Sequence, residues 1–188
     1  MTLPNRPRYA ARLNAFKTKG GSVADMIRGA GQVGGLSAAD LNYPDHFAVH
    51  DPGTLTGLLA EQMTLWMGQD GFDYSFQADY ARMWDDTITA IAEVADHDPA
   101  IDIAVEYKPN EPRAHALMPD MATTLLALAE VGRANTGVTL DFAHMLYAGE
   151  MPARAAMLAA RSSRILGLHL NDGYGKRDDG LIAGSVHP

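Results

Sequence analysis

Glu106 and Lys108 stand two residues apart at the end of an apolar run, in "IDIAVEYKPNEPR" (101–113). Asp141 and His144 close a second run, "VTLDFAHML". His169, between Leu168 and Leu170, closes a third, and Asp172, Asp178 and Asp179 follow it in a glycine-rich stretch. Carboxylates with one or two imidazoles suit a hard or borderline divalent cation: Mg²⁺, Mn²⁺, Co²⁺ or Zn²⁺. Carboxylates alone would favour Mg²⁺ or Ca²⁺, and the histidines shift the preference towards Mn²⁺, Co²⁺ or Zn²⁺. The spacing is not that of a compact motif such as HExxH, so the fold must gather these residues.

Each has a plainer reading. Glu106 and Lys108 could form an ion pair with no chemistry attached. His169 could be a satisfied core histidine. Asp178 and Asp179 could be turn formers, and Asp40 a helix cap. Asp141 is harder to dismiss, because a carboxylate inside an apolar run costs several kcal/mol unless it is paired. His46, His50, His97 and His115 lie in polar segments and read as solvated. Trp66, Phe72, Tyr74 and Phe76 are of the types that more often fill a core than stack on a ligand.

The elements that must position these groups alternate. Short helices are expected over 9–17 and 22–30, and a strand over 35–43 carrying Asp40 and Asn42. A helix over 52–62 precedes a strand over 63–68. Helix 77–95 has an apolar stripe of Tyr80, Trp84, Ile88, Ile91 and Val94 at three- and four-residue spacing. Strand 101–107, helix 119–131, strand 138–143, helix 152–162 and strand 165–170 follow, then a loop-like tail. Nearly all-apolar strands alternating with helices predict an α/β fold with a parallel sheet. In such a sheet all the C-terminal strand ends open on one face, where Glu106, Asp141 and His169 would meet.

Composition limits the function classes. The chain has 188 residues, 47% hydrophobic and 20% charged, enough for one domain with a real core. A formal net charge of −8 disfavours a nucleic-acid partner. There are no cysteines, so disulfides and thiolate metal sites are excluded. No apolar run is long enough to span a membrane, and "MTLPNRPRYAARL" lacks a signal-peptide core. A cytoplasmic protein is the default expectation.

"VEYKPNEPR", "GVTLDFAHMLYAGE" and "HLNDGYGKRDDG" together resemble the xylose isomerase-like TIM barrels, and within them the L-rhamnose isomerase type of sugar isomerase. The resemblance covers most of residues 22–188. It implies a (β/α)8 barrel and an aldose–ketose conversion of a small sugar, with hydrogen moved between C1 and C2, most often as a hydride. It also implies two divalent metals acting as Lewis acids, and no organic cofactor. Glu106, Asp141 and His169 correspond to ligands of the first metal. His144, with Asp179 or Asp178 beside it, corresponds to the second. Lys108 matches the lysine that polarises the substrate oxygen, and Asp178 is assigned to the catalytic proton transfer. Trp66, Asp70 and Gly71 in "LWMGQDGFDY" resemble the sugar-facing loop after the third barrel strand.

The chain departs from that pattern in two ways. A (β/α)8 barrel has eight strands in typically about 250 residues, whereas about five or six strands are legible in these 188. The fourth ligand of the first metal should come from a later strand. Between Gln62 and Met63 a helix runs into a strand with no turn residue, where the family places another strand and helix. The expectation is one incomplete barrel domain over 1–188. An open barrel exposes strand edges and apolar faces, which favours a homo-oligomer. A remnant that binds metal poorly and a sugar 3-epimerase of the same fold are the alternatives.

Overall fold

In a computed structural model of the chain, the described residues are 9–12, 19, 25–26, 28–29, 32–33, 36–40, 62–65, 70–72, 74–111 and 114–188. They fall in two compact units, Met1–Ala60 and Glu61–Pro188. In the first, strand β1 (Tyr9–Arg12) pairs in parallel with strand β2 (Leu36–Asp40), with Arg12 opposite Asp40. The expected helix over 9–17 is thus corrected at its start: Tyr9–Arg12 is a strand. Tyr-Ala-Ala-Arg has no decisive local preference, and pairing with β2 settles its conformation. Residues 25–26 and 28–29 are helical, inside the expected helix 22–30.

The second unit runs β3 (Gln62–Leu65), α1 (Tyr80–His97), β4 (Asp102–Glu106), β5 (Asn110–Glu111), β6 (Ala114–His115), α2 (Met121–Val131), β7 (Thr136–Asp141), α3 (Phe142–Tyr147), α4 (Pro152–Ser162) and β8 (Ile165–His169). Its main sheet has the order β3-β4-β7-β8, and every pairing in it is parallel. Sequential parallel strands with helices between them are the arrangement of an incomplete (β/α)8 barrel. Strands β5 and β6 form an antiparallel hairpin between β4 and α2, where no strand was expected. The expected helix 52–62 lies outside the described residues except for Gln62, which opens β3 instead.

Local chemistry sets the element ends. Asp79 caps α1 by accepting the backbone N–H of Arg82, so the helix starts at Tyr80, three residues later than the expected 77. Asp120 caps α2 through the N–H of Thr123, and Gly132 ends it in the left-handed conformation at φ 61°. Pro152 opens α4. Behind β4 and β7 the core holds Ile91, Val105, Tyr107, Met121, Val131, Val138 and Met145. On β7, Gly137 leaves no room for a side chain, since a Cβ there would lie 2.6 Å from the backbone oxygen of Arg164. No helix among the described residues is long and apolar enough to cross a membrane.

Candidate metal centre

Glu106, Asp141 and His169 are the last residues of β4, β7 and β8, three neighbouring strands of the sheet. Asp141 is paired across the ladder with His169. The strand expected to reach residue 143 stops at Asp141, because Asp141 caps α3 by accepting the His144 N–H at 2.9 Å. The six-residue helix α3, not expected from the sequence, thereby carries His144 to the same strand ends. The plain cap reading and the functional reading of Asp141 are therefore compatible.

The gathered groups are buried: Glu106 is 7% exposed, Asp141 5%, His144 4% and Lys108 3%. Ligand atoms of Glu106, Asp141 and His144 all lie within 4.8 Å of one another. His169 Nδ1 stands 3.2 Å from Glu106 Oε1 and 3.6 Å from Asp141 Oδ2. On the other side of His144, Nε2 is 3.4 Å from Asp178 Oδ2. Lys108 Nζ lies 3.3 Å from that same oxygen. Lys108 pairs with Asp178, 70 residues away in the sequence.

Electrostatics follow from this crowding. Burial opposes the charge on Glu106, but the His144 and His169 rings outweigh it and hold the carboxyl at about 2. Burial likewise opposes a proton on His144, yet Asp178 and Glu106, with Asp141 nearby, push it up to about 9. Asp178 is held at about 2, chiefly by His144 and then by Lys108. Three buried or half-buried carboxylates thus draw positive charge into one small volume.

Do these residues fit a metal? Among the described residues, His144 Nδ1 is buried without a hydrogen-bond partner, although Glu106 Oε1 is 3.2 Å away. An orphaned imidazole nitrogen aimed among carboxylates is what a ligand position requires, because a buried polar atom without a partner is otherwise costly. The donor set of oxygens plus imidazole fits a divalent cation. Glu106, Asp141, His144 and His169 would hold it.

Other expected site residues fall elsewhere. Asp179 uses its carboxylate to accept the Tyr174 N–H and the Arg177 Nε–H, bracing the loop, while Asp178 faces His144 and Lys108. Asp70, expected in the sugar-facing loop, is buried and hydrogen-bonded to its neighbours. Its oxygens accept from the Tyr80 hydroxyl at 2.7 Å, the His115 N–H at 2.9 Å and the Phe72 N–H at 3.3 Å. The His115 backbone N–H thereby ties the β5–β6 hairpin to Asp70, while its side chain is exposed as expected. Trp66 lies outside the described residues.

Sequence reasoning missed two groups, Asn171 and Glu150, and the partners of a third, Asp172. Asn171 donates from Nδ2 to both Asp141 oxygens. Glu150 accepts the Tyr107 hydroxyl and the Met121 N–H, fixing the residue between Glu106 and Lys108. Asp172, fully buried, accepts the Gly173, Val186 and His187 N–H groups and pairs with the His187 ring. The signal for Asp172 was its place three residues past His169; nothing in the sequence pointed to its partners.

A family model described as xylose isomerase-like TIM barrel matches residues 59–187. The chain belongs to this family. The matched stretch of the xylose isomerase-like barrel contains every residue gathered at the strand ends. Solved structures with the same fold include L-ribulose 3-epimerase, at 15% identity and TM-score 0.55 over 92% of this chain and 74% of that one. A xylose isomerase domain protein from Alicyclobacillus acidocaldarius subsp. acidocaldarius aligns at 18% identity and TM-score 0.54 over 87% of this chain. A D-tagatose 3-epimerase-like protein aligns at 22% identity and TM-score 0.52 over 66% of it. The chain spans 63% and 46% of the lengths of those last two proteins.

Proposed function

We propose that this chain carries the metal-binding part of an aldose–ketose isomerase of the L-rhamnose isomerase type, acting on a small aldose such as a hexose or deoxyhexose. The observation that carries the reading is Lys108. It is a buried cation, 3.3 Å from Asp178, at the strand ends where Glu106, Asp141, His144 and His169 gather. A bound divalent metal supplies Lewis-acid polarisation of the sugar oxygens when hydrogen moves between C1 and C2. Mn²⁺, Co²⁺ or Zn²⁺ suits the mixed oxygen and nitrogen donors better than Mg²⁺.

The chain's own groups divide the remaining work. Lys108 places a fixed positive charge where negative charge develops on the sugar oxygen at C1. Asp178 orients Lys108 and is the carboxylate placed to accept a hydroxyl proton. A 3-epimerase would need two carboxylates on either side of C3, and the lysine supports the isomerase instead.

The test is turnover of a panel of aldohexoses and 6-deoxyhexoses by the purified chain with Mn²⁺ or Co²⁺. Ketose formation is the expected result, lost in Lys108→Met. Conversion of ketoses to their C3 epimers, with no aldose turnover, would replace this reading with the epimerase one. Metal binding with no turnover of any sugar would mark the chain as a binding remnant.

A further inference from the structure

Asn171 lies two residues past β8, between the ends of two adjacent strands. Its Oδ1 accepts the Ala143 backbone N–H at 2.8 Å, and its Nδ2 donates to Asp141 Oδ1 and Oδ2 at 2.9 Å each. The Ala143 contact fixes which end of the amide faces Asp141, because a flipped amide would set two donors against each other. Asp141 Oδ1 is further committed to the His144 N–H at 2.9 Å. The carboxylate is therefore held against rotation. Among the described residues Oδ1 has two donors and stands 3.9 Å from His144 Nδ1, while Oδ2 has one donor and stands 3.6 Å from His169 Nδ1.

From this geometry we propose that Asn171 is a positioning residue that makes Asp141 a one-oxygen ligand, offering Oδ2 to the cation and withholding Oδ1. The inference rests on the metal reading above. A fixed single-oxygen carboxylate favours small ions with strict octahedral geometry. Ca²⁺, which prefers more oxygens and accepts carboxylates through both, is disfavoured. Partners that orient a ligand from behind typically change metal affinity 10–100-fold when removed. A residue that only braced the loop would not change the preference between ions.

The experiment is calorimetric titration of the metal-stripped full chain, wild type and Asn171→Ala, with Mn²⁺ alone and with Ca²⁺ alone, beside melting curves in EDTA. The expected result is about a 10–100-fold loss of Mn²⁺ affinity, a smaller loss for Ca²⁺, and so a narrower gap between the ions. If Asn171→Ala does not fold, Asn171→Leu keeps the side-chain size without the donor, and the same ratio is read there. Unchanged Mn²⁺ affinity, or equal losses for both ions, would overturn the inference and leave the metal centre standing. A wild-type chain that binds neither ion would overturn the metal reading and this inference with it.

Discussion

Lys108 is flanked by a buried tyrosine and sits two residues from a metal-type carboxylate, so its substitution separates chemistry from binding. Lys108→Met keeps the length and apolar stem while removing the charge. Turnover should fall at least about 100-fold, the scale for losing one stabilising donor. Mn²⁺ affinity should be kept or rise, because a nearby positive charge is gone. Kinetics beside calorimetry check both, and normal turnover would remove Lys108 from the mechanism. Glu106→Gln should instead abolish Mn²⁺ binding. At this scale the sequence was informative where a polar residue ended an apolar run, as at Glu106, Asp141 and His169. It could not choose between Asp178 and Asp179, because a glycine-rich loop leaves side-chain direction open. Asn171 reads as an ordinary turn residue until Asp141 is seen beside it.

The elements legible in the sequence were those with their own signals. Helix α4 is Ala-rich, α2 has Pro119 before it and Gly132 after it, and both end where expected. Helix α3 was hidden because six residues show no period and no turn residue separates it from β7. Strand β1 was hidden because its conformation is set by a partner far along the chain. Gly137 is required by close packing, so Gly137→Ala should destabilise by about 1–3 kcal/mol through overpacking, read as a lower melting temperature. The tail is held by Asp172. Burial alone would raise its carboxyl, but the His187 N–H and ring, with the Val186 and Gly173 N–H groups, hold it well below the usual range. A depressed carboxylate contributes stability that is present above its unfolded value, about 3.9, and is lost as pH falls through the folded value. Asp172→Ala should therefore melt earlier at neutral pH and lose less on acidification than the wild type. Parallel acid dependence in the two proteins would remove Asp172 from that role.

Across the whole molecule, the alternation of apolar strands with helices was enough to predict a parallel α/β barrel arrangement. Four sequential parallel strands, β3-β4-β7-β8, carry it. What the sequence could not supply was the assembly of the site from loops far apart, such as the 70-residue link from Lys108 to Asp178. A ligand held by several strand ends should stabilise the whole fold. With Mn²⁺ at 100 times its dissociation constant the gain is about 2.7 kcal/mol, which for a chain of this size is roughly 5–10 °C in melting temperature. Asp141→Asn should show no such shift.

The most direct test of the account is Mn²⁺ calorimetry on the EDTA-stripped chain beside Asp141→Asn. One or two bound ions in the wild type, absent in the variant, are the predicted result. Equal binding by both proteins, or none by the wild type, would contradict a metal centre at these strand ends.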